Sequence, residues 1–135
     1  MDLSQMGSIL RLAGPGSLVL IDEFGKGTSP ASGIALLASA IQYLTDTRAK
    51  VICTTHFVET FSMGMLVDGE NGVKALQMAV KIPERSTDLA VPLFKLEHGV
   101  AESSAGLVCA RMAGLRRGIV ERAGEVIQAC REGKP

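Results

Sequence analysis

The feature that most limits the possible folds of this chain is a short apolar run that stops at two acids. Residues 17–21 read SLVLI, and Asp22 and Glu23 follow directly. A short run without polar alternation is typical of a strand that is covered on both faces, as in a parallel sheet. We therefore expect a parallel sheet with two carboxylates at the carboxyl end of one strand.

The segments that follow this run predict a βαβ unit. GKGTSPASG, residues 25–33, has the composition of a loop, and from Gly33 to about Leu44 apolar residues recur at helical spacing. KVICTT, residues 50–55, is a second β-branched run. Because such crossovers are right-handed in nearly all known proteins, the two strands are expected to be parallel.

The flanking segments indicate further helices and a hairpin. Gly14, Pro15 and Gly16 end any helix that begins at Met1. VKALQMAVKI (73–82) and VPLFKLEHGV (91–100) read as two strands of a hairpin across the turn-like PERSTDLA, with Pro92 at an edge. Two helices, roughly Ser104 to Leu115 and Gly118 to Cys130, are expected to follow.

Composition excludes several classes of protein. The 135 residues are 47% hydrophobic, enough to fill a core, and 14 basic side chains balance 14 acidic ones, so no strong net field attracts nucleic acid or a membrane. The three cysteines show no CxxC spacing, which argues against a disulfide framework or a zinc site and favours a reduced, intracellular protein. No apolar segment approaches the roughly 20 residues that span a bilayer.

The acid pair and a histidine are the candidates for chemistry. Asp22 and Glu23 follow one predicted strand and His56 follows the other, so all three are expected at the edge where open α/β sheets bind ligands. An apolar strand ending in Asp-Glu is the Walker B arrangement, in which Asp22 would hold Mg²⁺ through water and Glu23 would activate the attacking water. His56 would reach the γ-phosphate of ATP.

Each of these features also has a plain structural interpretation. An acidic pair after a strand is common, and a lone histidine after a strand is more often a surface residue than a sensor. A turn alone would also account for the glycines and threonine of GKGT. The combination within one βαβ unit favours the nucleotide-hydrolysing interpretation.

Three segments carry a resemblance to a known family. LIDEFGKGT (20–28), THF (55–57) and HGVAESSAGLVCARMAGL (98–115) closely resemble the C-terminal ATPase domain of the MutS family of mismatch-recognition proteins. The resemblance runs over essentially the whole chain, and Phe24 and Lys26 are most similar to the meiotic branch, the fifth eukaryotic homologue.

The resemblance implies a fold, ligands and partners. The fold would be α/β, a partial P-loop NTPase domain of the ABC type over residues 1–135, with a parallel βαβ core, a following hairpin and C-terminal helices. ATP and Mg²⁺ would bind at composite sites in a dimer with another MutS homologue. Mismatched or branched DNA would be bound through domains outside this chain, on chromosomes in the nucleus, with a role in meiotic recombination. Asp22, Glu23 and His56 match the magnesium, base and switch positions of the family.

The chain departs from the family pattern in three places. It contains no GxxxxGK[ST] motif, so it lacks the Walker A cradle for phosphates and is expected to bind ATP poorly and to be inactive alone, as a fragment or truncated product. Ser32 replaces a usual aspartate, and Ala105 replaces a usual tyrosine. Met1-Asp2-Leu3 resembles the end of the family's signature segment.

Two alternatives remain at this stage. One is another ABC-type ATPase, which would usually show an LSGGQ-like signature ahead of the acidic strand, whereas residues 1–16 contain none. The other is a non-catalytic dimerisation or interaction module, built on apolar residues at helical spacing in the C-terminal helices. Those residues are Leu107, Val108, Met112, Leu115, Ile119, Val120, Val126 and Ile127.

Overall fold

The computed structural model describes residues 1–81, 91–101 and 106–133, except for the side chain of Arg131. Over these residues the elements run in the order α1 (Leu3–Leu12), β1 (Leu18–Asp22), α2 (Pro30–Asp46), β2 (Lys50–Thr54), α3 (Glu59–Ser62), β3 (Leu76–Lys81), β4 (Val91–His98), α4 (Gly106–Met112) and α5 (Arg117–Arg131). The chain divides into two compact units. The first unit is Met1–Gln77 with His98–Glu102, and the second unit is Met78–Glu97 with Ser103–Pro135.

The first unit contains the predicted βαβ core. Strands β1 and β2 pair in parallel, with Leu18 opposite Lys50 at one end and Asp22 opposite Thr54 at the other. Helix α2 connects them. The expected parallel arrangement is therefore confirmed, and both strands end at the same edge.

Helix α2 begins earlier than the sequence pattern predicts. Ser29 caps it by accepting a hydrogen bond from the Ser32 amide at 3.3 Å, and Pro30 occupies the first turn. Serine at an N-cap followed by proline is a strong helix start, because proline has no N–H to leave unpaired there. The loop predicted for residues 25–33 is therefore wrong in its last part.

The core of the first unit lies on one face of the β1–β2 sheet. Helices α1 and α2 pack there against alternate residues of β1. The buried cluster consists of Met6, Val19, Ile21, Phe24, Leu37, Ala40, Leu44 and Phe57.

The opposite face of the β1–β2 sheet departs from the sequence prediction. Leu18, Leu20 and Ile52 are 62%, 63% and 60% exposed. The expectation that β1 is covered on both faces is therefore wrong for the described part of this chain. A run of apolar residues shows that a strand suits burial on both sides, but it does not supply the element that would cover the second side.

Helix α1 is defined at both ends. The Asp2 side chain accepts a hydrogen bond from the Gln5 amide at 2.8 Å, and the Gln5 side chain accepts one from the Asp2 amide at 3.0 Å, which forms a capping box. The helix ends at Leu12, immediately before the predicted break at Gly14.

Strands β3 and β4 form a separate two-stranded sheet, as the predicted hairpin requires. They are shorter than predicted, in part because the Ala75 amide donates to Asp68 Oδ1 at 2.7 Å and does not join the sheet. The predicted turn at PERSTDLA lies outside the described residues.

Helices α4 and α5 confirm the two C-terminal helices. Gly114, at φ +79°, lies in the turn between them, a conformation that favours glycine. The predicted start at Ser104 lies outside the described residues, as does Ala105. Over the residues that the structure describes, no helix is long and apolar enough to cross a membrane.

Candidate active site

Asp22 is fixed at the carboxyl end of β1 by a neighbour on β2. Thr54 lies directly opposite it in the parallel register, and the Thr54 hydroxyl donates a hydrogen bond to Asp22 Oδ1 at 2.6 Å. The aspartate is exposed, and its other carboxylate oxygen has no protein hydrogen bond from any described residue. Asp22 is thus held at one oxygen and open at the other.

Glu23 follows as the chain leaves the sheet. Its amide donates to the Thr54 carbonyl at 3.0 Å, so the main chain stays tied to β2 for one residue beyond the strand. Its φ of 45° lies in the left-handed region, which costs free energy for a residue with a side chain. The carboxylate pairs with the Lys26 ammonium, and both groups are partly exposed.

The loop after Glu23 is anchored in the core. Phe24 is only 2% exposed and belongs to the buried cluster. Gly25 follows at φ +96°, where any other residue would be strained. The buried Phe24 side chain and the turn at Gly25 together restrict where the Glu23 backbone can move.

His56 lies two residues beyond the end of β2, at the same sheet edge as the acids. Its ring is exposed and contacts the Phe57 ring, with centroids 4.4 Å apart and planes tilted by 47°. Of the contacts described in the structure, none is a hydrogen bond or ion pair between His56 and either acid. The structure thus joins the acids through Thr54 and leaves the histidine beside them without direct contact.

The residues present suit a magnesium ion held mainly by a substrate, and they do not form a protein cage. Over the described residues, no group of three or more His, Cys, Asp or Glu side chains converges as a metal site. Mg²⁺ usually keeps several waters and binds one or two carboxylates together with substrate phosphates. A single aspartate with one open oxygen, as at Asp22, fits that mode.

An open groove runs beside Asp22. Its volume is about 720 Å³, within the range of small-molecule sites. Both α1 and β1 contribute to it, through Met1, Ser4, Gln5, Ser8, Ile9, Leu20 and Asp22. Asp22 thus lies at an open groove on the surface of the first unit.

Sequence reasoning missed Thr54 as a site residue. The signal was available, because a parallel register that aligns the ends of β1 and β2 places Thr54 opposite Asp22. The departure at Ser32 also has a local role, since Ser29 Oγ donates to Ser32 Oγ at 2.9 Å in the first turn of α2. Ser32 therefore helps to start the helix that connects the two strands of the site.

Comparisons with known proteins show the family to which the chain is similar. The family model described as MutS domain V matches residues 1–131. MutS protein homolog 5 of Saccharomyces cerevisiae is 32% identical over 98% of this chain and 16% of its own length. DNA mismatch repair protein MutS of Clostridium botulinum is 35% identical over 98% of this chain and 14% of its own, and that of Fervidobacterium nodosum is 37% identical over 93% and 15%. The chain thus spans between 14% and 16% of the length of these relatives.

Proposed function

The chain belongs to the MutS family and corresponds to MutS domain V, and from that premise we propose that it supplies the hydrolytic part of an ATP site. The observation that carries the proposal is the pair of hydrogen bonds that Thr54 makes with the two acidic residues, one as donor and one as acceptor. Its hydroxyl donates to Asp22 at 2.6 Å, and its carbonyl accepts from the Glu23 amide at 3.0 Å. One residue therefore bonds to the Asp22 carboxylate and to the Glu23 main chain, at the edge of a parallel sheet where α/β proteins commonly bind ligands.

The two acids take different roles in this proposal. Asp22, with one open oxygen, would hold Mg²⁺ together with the waters that this ion usually keeps. The metal, when bound, neutralises charge on the phosphates. Glu23 accepts the proton of the attacking water as the general base. His56, exposed at the same edge, donates a hydrogen bond to the terminal phosphate.

The site requires further parts. The 135 residues contain no phosphate-binding loop, so the chain alone is expected to bind ATP weakly and to turn it over negligibly. In this proposal residues 1–135 act as one part of a larger ATPase domain. The longer protein would work with a second MutS homologue on mismatched or branched DNA, on chromosomes in the nucleus. The similarity to MutS protein homolog 5 and the residues Phe24 and Lys26 support a role in meiotic recombination.

A chimera tests the catalytic assignment. Residues 1–131 would replace the matching segment of Fervidobacterium nodosum MutS, and steady-state ATP hydrolysis would be measured. Glu23→Gln should lower kcat by about 100-fold or more, because a general base contributes on that scale, while the Kd of ATP stays unchanged. Asp22→Asn should weaken Mg²⁺ binding and so raise the Mg²⁺ concentration that half-maximal hydrolysis requires.

Glu59→Gln is the matched control, because Glu59 is an exposed acid in the short helix α3. It should leave kcat unchanged. If the Glu23→Gln chimera hydrolyses ATP at the rate of the parent chimera, Glu23 is not the base and the proposal fails.

A second candidate function is an interaction module, and the exposure of α4, α5 and the turn between them favours it. Leu107, Val108 and Val120 line a groove between the two helices. The other apolar residues at helical spacing remain exposed by 41% to 56%, namely Met112, Leu115, Ile119, Val126 and Ile127. An apolar surface of this kind commonly marks a contact with another protein.

Sedimentation velocity tests the interaction candidate. The chain would be run alone and with a second MutS-family chain, over a range of concentrations, and association should increase the sedimentation coefficient. Ile119→Ser, at an exposed position of α5, should weaken that association. A chain that stays monomeric under every condition would rule this candidate out.

A further inference from the structure

Phe57 makes a contact that neither the acid pair nor the histidine explains. Its side chain is 7% exposed and lies against two glycines from separate segments: Gly25, in the loop after β1, and Gly33, in the first turns of α2. A Cβ built at Gly33 would come within 2.9 Å of Phe57 Cζ, and one at Gly25 within 3.0 Å of Phe57 Cε2. The ring therefore occupies space that exists only because both residues lack a side chain.

The two glycines also contact each other. A Cβ at Gly25 would lie 3.0 Å from Gly33 Cα, and one at Gly33 would lie 3.1 Å from the Gly25 carbonyl oxygen. The loop that follows the acids, the crossover helix and the Phe57 ring thus meet at one point. A side chain at either glycine would therefore be crowded by the backbone of the other.

The backbone of Phe57 is fixed as firmly as its ring. Its amide donates to Thr55 Oγ1 at 3.0 Å, and its carbonyl accepts from Thr60 Oγ1 at 2.8 Å. Thr60 is itself only 1% exposed. The neighbouring residue, His56, contacts the same ring with centroids 4.4 Å apart.

The segments after β1 and β2 are therefore connected twice. The first connection is Thr54, which bonds to Asp22 and to the Glu23 amide. The second connection is Phe57, which contacts Gly25 two residues after Glu23. Two connections, one before and one after the reactive side chains, define the separation of those side chains.

We propose that Phe57, seated on Gly25 and Gly33, is a positioning residue that fixes His56 relative to Glu23. It does not touch the substrate, and it acts through the histidine next to it and the loop beneath it. The claim that this contact matters for ATP hydrolysis rests on the proposed function. The claim that Phe57 fixes the position of His56 relative to Glu23 does not.

Two variants disturb the contact in opposite ways. Phe57→Leu removes the ring, and Gly33→Ala adds a methyl group 2.9 Å from the present position of Phe57 Cζ. Each has a matched control. Phe61→Leu makes the same change at a half-buried phenylalanine of α3, and Gly7→Ala makes the same change in α1, where the nearest atom is Arg11 Nη1 at 3.5 Å.

NMR of the ligand-free chain tests whether the Phe57 contact affects both His56 and Glu23. The chain has two histidines, so the imidazole resonances of His56 can be followed with those of His98 as an internal reference. Phe57→Leu and Gly33→Ala should shift both the His56 imidazole and the Glu23 amide resonances, while His98 and the two controls stay as in the parent. Unchanged His56 or Glu23 resonances in both variants would overturn the proposal.

The parent chain offers a test that needs no variant. Nuclear Overhauser effects should connect the Phe57 ring protons to the α-protons of Gly25 and Gly33 and to the His56 ring. Their absence in a folded chain would overturn the proposal even if Phe57→Leu fails to fold.

Kinetics of the chimera separate positioning from packing. Phe57→Leu and Gly33→Ala should lower kcat by about tenfold to 100-fold with an unchanged KM, the scale expected for a small misplacement of a catalytic group. If Phe57 serves packing alone, the two variants should lower stability and leave kcat of the folded enzyme unchanged. That result would contradict a role of Phe57 in positioning His56 for catalysis. If instead Glu23→Gln retains full turnover, the proposed function fails while the ligand-free coupling still stands.

Discussion

The two compact units differ in how much apolar surface they bury. Over the described residues, the buried apolar side chains belong to the first unit except for Ala79 and Val120. In the second unit large apolar side chains lie open, with Phe94 and Leu96 exposed by 85% and 66%. The acids, Thr54 and His56 all lie on the packed unit.

This difference suits the chemistry proposed for each unit. A carboxylate that must hold a metal or activate water needs a support that does not move, and a dense core provides one. A surface that joins a second chain needs apolar area that the free chain leaves uncovered. The core of the first unit therefore provides that support, whereas uncovered apolar area lies both in the second unit and on the open face of the β1–β2 sheet, at Leu18, Leu20 and Ile52.

The largest expected effect compares two phenylalanines. Phe24→Ala, in the core of the first unit, should lower the free energy of unfolding by about 3–5 kcal/mol, since it deletes a buried ring and leaves a cavity. Phe94→Ala, in β4, should change it by less than about 0.5 kcal/mol because that ring is exposed. Urea denaturation followed by circular dichroism measures both, and equal losses would contradict the contrast between the units.

Thiol reactivity gives a second contrast. Burial raises the pKa of the Cys53 thiol, in β2, from 9.0 to about 11, while Cys109 and Cys130 in the second unit are exposed. Because its pKa is about two units higher, the thiolate fraction of Cys53 at pH 8 should be about 100-fold smaller than that of an ordinary thiol. Only the thiolate reacts with an alkylating reagent. Alkylation with iodoacetamide, followed by peptide mass spectrometry, should label Cys53 last. Labelling of all three cysteines at the same rate would contradict the expected difference between the buried Cys53 and the two exposed thiols.

The same thiol predicts a dependence of stability on pH. The folded state holds the Cys53 proton more tightly than the unfolded chain does, so this contribution to stability is complete below about pH 9. It should be lost as the pH rises from about 9 to about 11. Cys53→Ala should remove this part of the pH dependence, and a parent chain whose stability is flat across that window would contradict the assignment.

The smallest expected effect concerns the bond that holds the acid pair. Thr54→Val keeps a β-branched residue in β2 but removes the donor to Asp22, and it should cost about 1 kcal/mol. Asp22→Asn alone and the double variant complete a double-mutant cycle. A coupling energy near zero would mean that Thr54 and Asp22 do not interact in solution, and the site would then lose its main support.

Local patterns predicted the parts of the fold that depend on neighbours in sequence. The apolar runs at 18–21 and 51–53 and the helical spacing of α2 were sufficient for the βαβ core, and one chirality rule made the strands parallel. That topology places Asp22, Glu23 and His56 at one edge, and their catalytic roles stay a prediction. The Ser29-Pro30 start of α2 was also readable from sequence, although the loop interpretation passed over it.

Features that depend on distant residues were not predictable in this way. Periodicity could not show that Leu20 and Ile52 lie exposed, because burial depends on what else the chain brings to that face. The contact of Phe57 with Gly25 and Gly33 joins three segments, and no spacing in the sequence marks it. No spacing in the sequence marks the left-handed φ of Glu23 either, a residue between the bond of its own amide to Thr54 and the buried Phe24.

Titration of the chain with Mg²⁺·ATP, followed by amide and imidazole NMR, tests most directly whether the acid pair belongs to a nucleotide site. The account predicts weak, millimolar binding that shifts the resonances of Asp22, Glu23 and His56, is lost when EDTA removes the metal, and leaves His98 unchanged. Shifts that spare Asp22 and Glu23 at saturating nucleotide, or micromolar affinity without a phosphate-binding loop, would contradict it.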